Sequence, residues 1–209
     1  GYNQTKNQKE ILLVQNGIDT QFFKKQEREK KYDLVFVGNL SYPPNVQACI
    51  TLVNHVLPKV KEMHPGVTVL LSGADPNKEV LKLAQKGVVV SGWVDDIRDS
   101  YLSARVFVAP LEIGTGLQNK LLEAMSLGIP SITTNLVNNA LEAKDKEDLL
   151  LADTELEFAN AIHLLLSDLD LNKTISENGS IFVRKKYDWE EASYWRPSCW
   201  WSSSEEAHR

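Results

Sequence analysis

The chain has 209 residues, 43% of them hydrophobic and 24% charged, which supports one packed core and leaves no room for a large two-lobed enzyme. Lys and Arg total 23 against 28 Asp and Glu, and a net charge of −5 argues against a protein that holds nucleic acid by neutralising phosphates. The two cysteines, Cys49 and Cys199, lie far apart without metal-ligand spacing, and no apolar run approaches the roughly 20 residues of a membrane span, so a reduced, cytoplasmic protein with no transmembrane segment is expected.

Short apolar runs rich in β-branched residues recur at Ile11–Val14, Leu34–Val37, Val67–Leu71, Val88–Val90, Val106–Val108 and Ile129–Thr133. Continuous runs of this kind suit strands buried on both faces, and each leads into a helical pattern or a loop before one. Strands alternating with helices predict an α/β fold, a Rossmann-like parallel sheet with helices on both faces.

The first helix follows Pro43-Pro44-Asn45, with Asn45 as its expected cap and Val46, Ile50, Val53, Leu57 and Val60 as its apolar stripe. Pro58, inside that stripe, predicts a kink or restart. Asp96 is expected to cap a short helix carrying Ile97, Tyr101 and Leu102, which is a simpler reading than an Asp95–Asp96 metal pair. Leu117–Leu127 forms a further helix that stops at Gly128-Ile129-Pro130. Thr154 and Glu157 have capping-box spacing before a stripe of Leu156, Ala159, Ile162, Leu165 and Leu166, and a last helix covers about Asn172–Lys185. The four histidines, His55, His64, His163 and His208, have no ligand-spaced partners, so no metal site is assigned. Residues 1–189 read as one domain; the Trp-rich 190–209 tail lacks periodicity and is either a docking segment or appended or out-of-frame sequence.

In an open parallel sheet the ligand lies beyond the carboxyl ends of the strands. Two glycine-containing loops fall there, Gly38-Asn39-Leu40-Ser41 and Pro110-Leu111-Glu112-Ile113-Gly114-Thr115-Gly116. Glycines before a helix start let backbone N–H groups reach an anion, which suits a phosphate. Asn119, Lys120 and Glu123 share a polar face of the helix that follows, opposite Leu117, Leu121, Ala124 and Met125. Glu123 lies roughly 6 Å of helix rise beyond Asn119, a separation that matches a nucleotide's phosphates and ribose, and its carboxylate can accept from two vicinal hydroxyls.

The run from Pro110 to Pro130 resembles the donor-site segment of the group 1, retaining GT-B glycosyltransferases. Further landmarks fall in family order: Gln15-Asn16-Gly17-Ile18-Asp19, Val37-Gly38-Asn39-Leu40, Leu71-Ser72-Gly73, Ser91-Gly92-Trp93-Val94-Asp95-Asp96 and Tyr187-Asp188-Trp189. The resemblance spans about Ile11 to Trp189 and covers the C-terminal lobe of that two-lobed architecture. It implies a nucleotide-diphosphate sugar as substrate, with no separate cofactor. The implied donor-binding positions are Gly38, Asn39, Gly92, Trp93, Val94, Gly114, Thr115, Gly116, Leu117, Gln118, Lys120 and Glu123. Among them Glu123 would take the ribose, and the Gly92-Trp93-Val94 backbone would touch the base. The acceptor and any catalytic histidine would belong to a missing N-terminal lobe, through which the protein could also meet the inner face of a membrane.

Three positions depart from the family pattern. Thr115 stands where a sugar-contacting glutamate is common, and Asn39 and Asn45 stand where many members carry an arginine and a lysine for the diphosphate. Lys120 is expected to act electrostatically as a relocated cation. The expected function is sugar transfer with retention, this chain being the donor-binding half. A non-catalytic nucleotide-sugar-binding module and a GT-B sugar-nucleotide epimerase are the alternatives.

Overall fold

The computed structural model describes residues 17–113 and 116–189. The expected strand Ile11–Val14, the Gly114-Thr115 pair and the 190–209 tail lie outside the described residues. Among the described residues six strands form one parallel sheet: β1 (Tyr32–Val37), β2 (Val69–Ser72), β3 (Val88–Ser91), β4 (Ala104–Ala109), β5 (Ser131–Thr133) and β6 (Leu150–Leu151). Their order is β3-β2-β1-β4-β5-β6, so the chain winds outward from β1 in one direction and then, from β4, in the other. Right-handed crossovers place the helices of the two halves on opposite faces of the sheet. The Rossmann-like fold expected from the alternating runs is therefore present.

The central strands explain why those runs were continuous. Leu34 to Val37 and Val106 to Val108 are fully buried or nearly so, because helices cover both faces of β1 and β4. Phe36 and Phe107 stack across the two strands at 6.5 Å between ring centroids, and Tyr101 from α4 (Ile97–Leu102) leans on Phe107 at 5.7 Å.

Pro58 does restart its helix. α1 (Pro43–Ile50) passes into a π-helical stretch over Thr51–Val56, and α-helical spacing resumes in α2 (Leu57–Met63). The Leu57 amide bonds back five residues to the Leu52 carbonyl, a widening that makes room for a ring with no N–H to donate. Asn45 does not cap this helix: the N-cap position is Tyr42 and has no side-chain bond, because Pro43 and Pro44 occupy the first turn and move the helix start ahead of Asn45.

The other caps agree with the sequence. Asp96 accepts from the Arg98 amide at the start of α4, and Thr154 with Glu157 forms a complete capping box on α7 (Glu155–Ser167). Leu156 is the departure there: it is 60% exposed, and Phe158, four residues before Ile162, fills the stripe instead. The helix expected from Leu117 begins at Asn119, as α5 (Asn119–Ser126), and the last helix, α8, runs over Leu169–Tyr187 and packs on α5. Two short helices, α3 (Lys78–Leu81) and α6 (Asn135–Leu141), complete the fold. No helix among the described residues is long and apolar enough to cross a membrane.

Candidate nucleotide site

The direction of winding reverses between β1 and β4, and side chains from both halves of the sheet converge at the carboxyl ends of these strands. A pocket of about 360 Å³ opens there, bordered by Gly38, Gly73, Trp93, Tyr101, Lys120 and Glu123, with Val94 also on its wall.

Its floor is backbone held at close range. The Gly38 amide donates to Ser72 O (3.0 Å) and the Leu40 amide to Ala74 O (2.8 Å), so the loop after β1 is tied to the end of β2. Gly73 has φ +144°, and a Cβ there would lie 1.8 Å from the Gly38 carbonyl oxygen. Only glycine permits that approach.

Asn39 does not face the pocket. Its Oδ1 accepts from the Ser41 amide (2.8 Å), the Ser41 hydroxyl (2.7 Å) and the Tyr42 amide (3.1 Å), so this side chain is spent on shaping its own loop. Asn45 is buried and links two parts of the site. Its Nδ2 donates to Asn39 O at 2.8 Å, and its Oδ1 accepts from Lys120 Nζ.

Lys120 is thus not on an exposed polar face shared with Asn119. Its ammonium turns inward to Asn45 and lies 5.3 Å from the centroid of the Phe36 ring. Burial holds its pKa down to about 8, partly opposed by Glu123. The neighbouring Cys49 is fully buried, and burial pushes its thiol up to about 12, so it stays neutral and is packing material.

Glu123 stands one turn along from Lys120 and is half-buried. Burial pushes its carboxyl above the usual range, while the Tyr101 hydroxyl and Lys120 oppose that rise. Tyr101 is fully buried and donates to Glu123 Oε2 at 2.7 Å, leaving Oε1 and the remaining lone pair of Oε2 for a ligand. Tyr101 was legible in the sequence only as an apolar face of its helix, and its role as the support of Glu123 depends on a contact across 22 residues. Tyr101→Phe is expected to raise the Glu123 titration further and cost about 1 kcal/mol of stability, because the half-buried carboxylate loses the Tyr101 hydroxyl as a donor. Side-chain carboxyl NMR through a pH titration measures this, and an unmoved Glu123 titration would remove Tyr101 from that role.

Trp93 is 72% exposed at the pocket mouth, next to Val94, so an aromatic wall is presented to solvent. Gly92, Gly116, Leu117 and Gln118 are close in sequence to this pocket but do not line it. The N-cap of α5, Gln118, makes no side-chain cap bond, and among the described residues the Asn119 and Lys120 amides keep donors available to an anion, while the Leu121 amide bonds the Gln118 carbonyl.

Other polar groups outside the pocket find partners of their own. Asp96 is committed to Arg98, which it meets at 2.6 Å. His64 and His163, 99 residues apart, come within 3.0 Å of one another, a contact invisible to spacing because it joins α2 to α7. Among the described residues there is no group of three or more His, Cys, Asp or Glu side chains that could hold a metal.

Comparison with known proteins places this geometry in context. The family model for "Glycosyl transferases group 1" matches residues 31–168. The UDP-Gal:alpha-D-GlcNAc-diphosphoundecaprenol alpha-1,3-galactosyltransferase of Escherichia coli is 25% identical over 181 residues, or 78% of this chain and 46% of that protein. The C-terminal domain of a group 1 family glycosyl transferase from Francisella tularensis superposes with a TM-score of 0.65 at 21% identity, over 82% of this chain and 99% of that domain. An Anabaena protein solved in complex with UDP gives a TM-score of 0.72 at 16% identity, over 87% of this chain and 54% of that one. At such identities the solved structures speak to the fold alone. The chain spans about half the length of the curated relatives it matches.

Proposed function

The chain belongs to the group 1 glycosyl transferases, and from that premise we propose that it is the donor-binding half of an enzyme that transfers a sugar, with retention, from a nucleoside diphosphate sugar. The observation that carries this reading is the placement of Lys120 and Glu123 one turn apart in the same pocket, at the start of a helix without a side-chain cap. A nucleotide laid along α5 puts its diphosphate at the helix start and Lys120, and its ribose hydroxyls at Glu123. Trp93 and Val94 then flank the base. The groups that meet the diphosphate also stabilise the charge it gains on leaving, an electrostatic role that needs no proton transfer from this half. The acceptor and the other wall of the cleft belong to a second lobe.

Uridine diphosphate is the first ligand to test, since the Escherichia coli relative is named for UDP-Gal and the Anabaena protein was solved with UDP. Calorimetric titration of the chain with UDP, GDP and ADP is expected to show weak binding of at least one of them, and Lys120→Ala should reduce it. A folded chain that binds none at millimolar concentration would overturn the proposal.

Glu123→Ala is expected to weaken nucleotide binding by about 1–2 kcal/mol through lost ribose bonds, with 2′,3′-dideoxy ligands losing that much against wild type and little against the variant. Equal losses against both proteins would remove ribose recognition from Glu123.

A further inference from the structure

We propose that the basic cavity at the opposite end of the sheet is a second anion site, which takes a phosphorylated ligand. This cavity, of about 470 Å³, carries Lys25, Arg28, Lys30, Arg105 and Lys173 against the single acid Glu27. It lies at the amino ends of the strands: Lys30 precedes β1, Arg105 is the second residue of β4, and Pro130 on its wall precedes β5. A six-residue strand is about 20 Å long, so this cavity is separate from the Lys120 pocket.

The charges there are not balanced within the protein. Arg105 pairs with Asp33 at 3.3 Å and Arg28 with Asp99 at 3.8 Å, but among the described residues Lys25, Lys30 and Lys173 form no ion pair. Lys30 donates to the Leu102 carbonyl at 2.9 Å, which fixes its ammonium without neutralising it. Partial burial and the charge on Lys25 both hold the Lys30 ammonium below its ordinary pKa, so these like charges already disfavour one another. In a chain with net charge −5, a concave cluster of this sign is suited to an anion. With Glu27 counted against the three ammoniums, two positive charges remain, and one carboxylate would leave one of them unmatched. A phosphoryl group, with about 1.5–2 negative charges near neutrality, matches both. The chemistry is that of a soluble phosphorylated compound or of a phosphorylated lipid headgroup.

The test is an amide NMR titration of the whole chain with inorganic pyrophosphate. Saturable shifts are expected at Gly128 and Lys173 in the wild type, and they should persist in Lys120→Ala, which disables the other pocket. In a Lys25→Ala/Lys173→Ala double variant those shifts should need about tenfold more pyrophosphate, while shifts around Lys120 stay unchanged. Both lysines project from the surface, so the fold is expected to survive. Co-sedimentation with phosphatidylcholine vesicles containing phosphatidic acid separates the sources: capture lost in the double variant assigns a lipid headgroup, and pyrophosphate shifts without capture assign a soluble ligand. Shifts confined to the Lys120 pocket, or shifts at Gly128 and Lys173 that are equally strong in the double variant, would overturn the proposal.

Discussion

Gly73→Ala is expected to abolish nucleotide binding and to destabilise the chain by about 2–6 kcal/mol, combining an unfavourable backbone conformation with overpacking. At φ +144° an L side chain is strained whatever space surrounds it, and here the space is filled by the Gly38 carbonyl oxygen, 1.8 Å from the new Cβ. The carbonyl cannot retreat cheaply. Its residue is tied to Ser72 through its own amide, and the next turn is tied to Ala74 through Leu40. Relief would have to come from separating the ends of β1 and β2, which moves Gly38 and with it the pocket floor. Gly92→Ala is the control, since a Cβ there meets nothing within 4 Å and the residue has no positive φ. Urea denaturation and nucleotide titration of the two variants check the contrast: Gly92→Ala should stay within about 0.5 kcal/mol of wild type. A Gly73→Ala chain as stable as that would show that the β1 and β2 ends are not rigidly joined.

The same contrast explains what the sequence could and could not reveal. Strands such as Leu34–Val37 were legible because burial on both faces writes a continuous apolar run, and the caps at Asp96 and Thr154 were legible because a cap is a local bond over two or three residues. β6 was missed because two residues at the sheet edge carry no period, and α6 because only Val137 and Leu141 of its seven residues are buried. The site was harder still. Glycines and the polar residues of α5 pointed to the carboxyl end of the sheet, where the Lys120 pocket opens, but the direction in which Lys120 points is set by Asn45, 75 residues earlier, and the freedom of Glu123 by Tyr101. Asn45 looked like a helix cap and Asn39 like a replaced ligand-binding position. In the folded chain Asn39 closes its own turn, and Asn45 carries the link to the lysine. Contacts that join distant segments leave no periodic trace.

Lys120 carries the last expectation, and its burial gives a signature that a surface lysine would lack. With its pKa held near 8, part of the population has lost the proton in mildly alkaline solution, whereas an arriving diphosphate favours the charged form and draws the proton back. Diphosphate affinity should therefore be greatest below pH 8 and fall by up to tenfold per pH unit above it, a range in which the diphosphate itself no longer titrates. Nucleoside affinity should stay flat over the same range. The chain's own stability moves the other way: because folding depresses this group's pKa, the folded state is penalised while Lys120 must be charged, and the penalty lifts as pH rises from about 8 toward the ordinary lysine range. Lys120→Ala should weaken diphosphate binding by about 2–3 kcal/mol, the range for a charge-assisted bond in a partly desolvated site, and abolish its pH dependence. Calorimetry at pH 8.5 in two buffers of different ionisation enthalpy reads this directly. Wild type should take up roughly three-quarters of a proton per diphosphate bound at this pocket, and the variant none there. Proton uptake that survives undiminished in Lys120→Ala would assign the titration to another group.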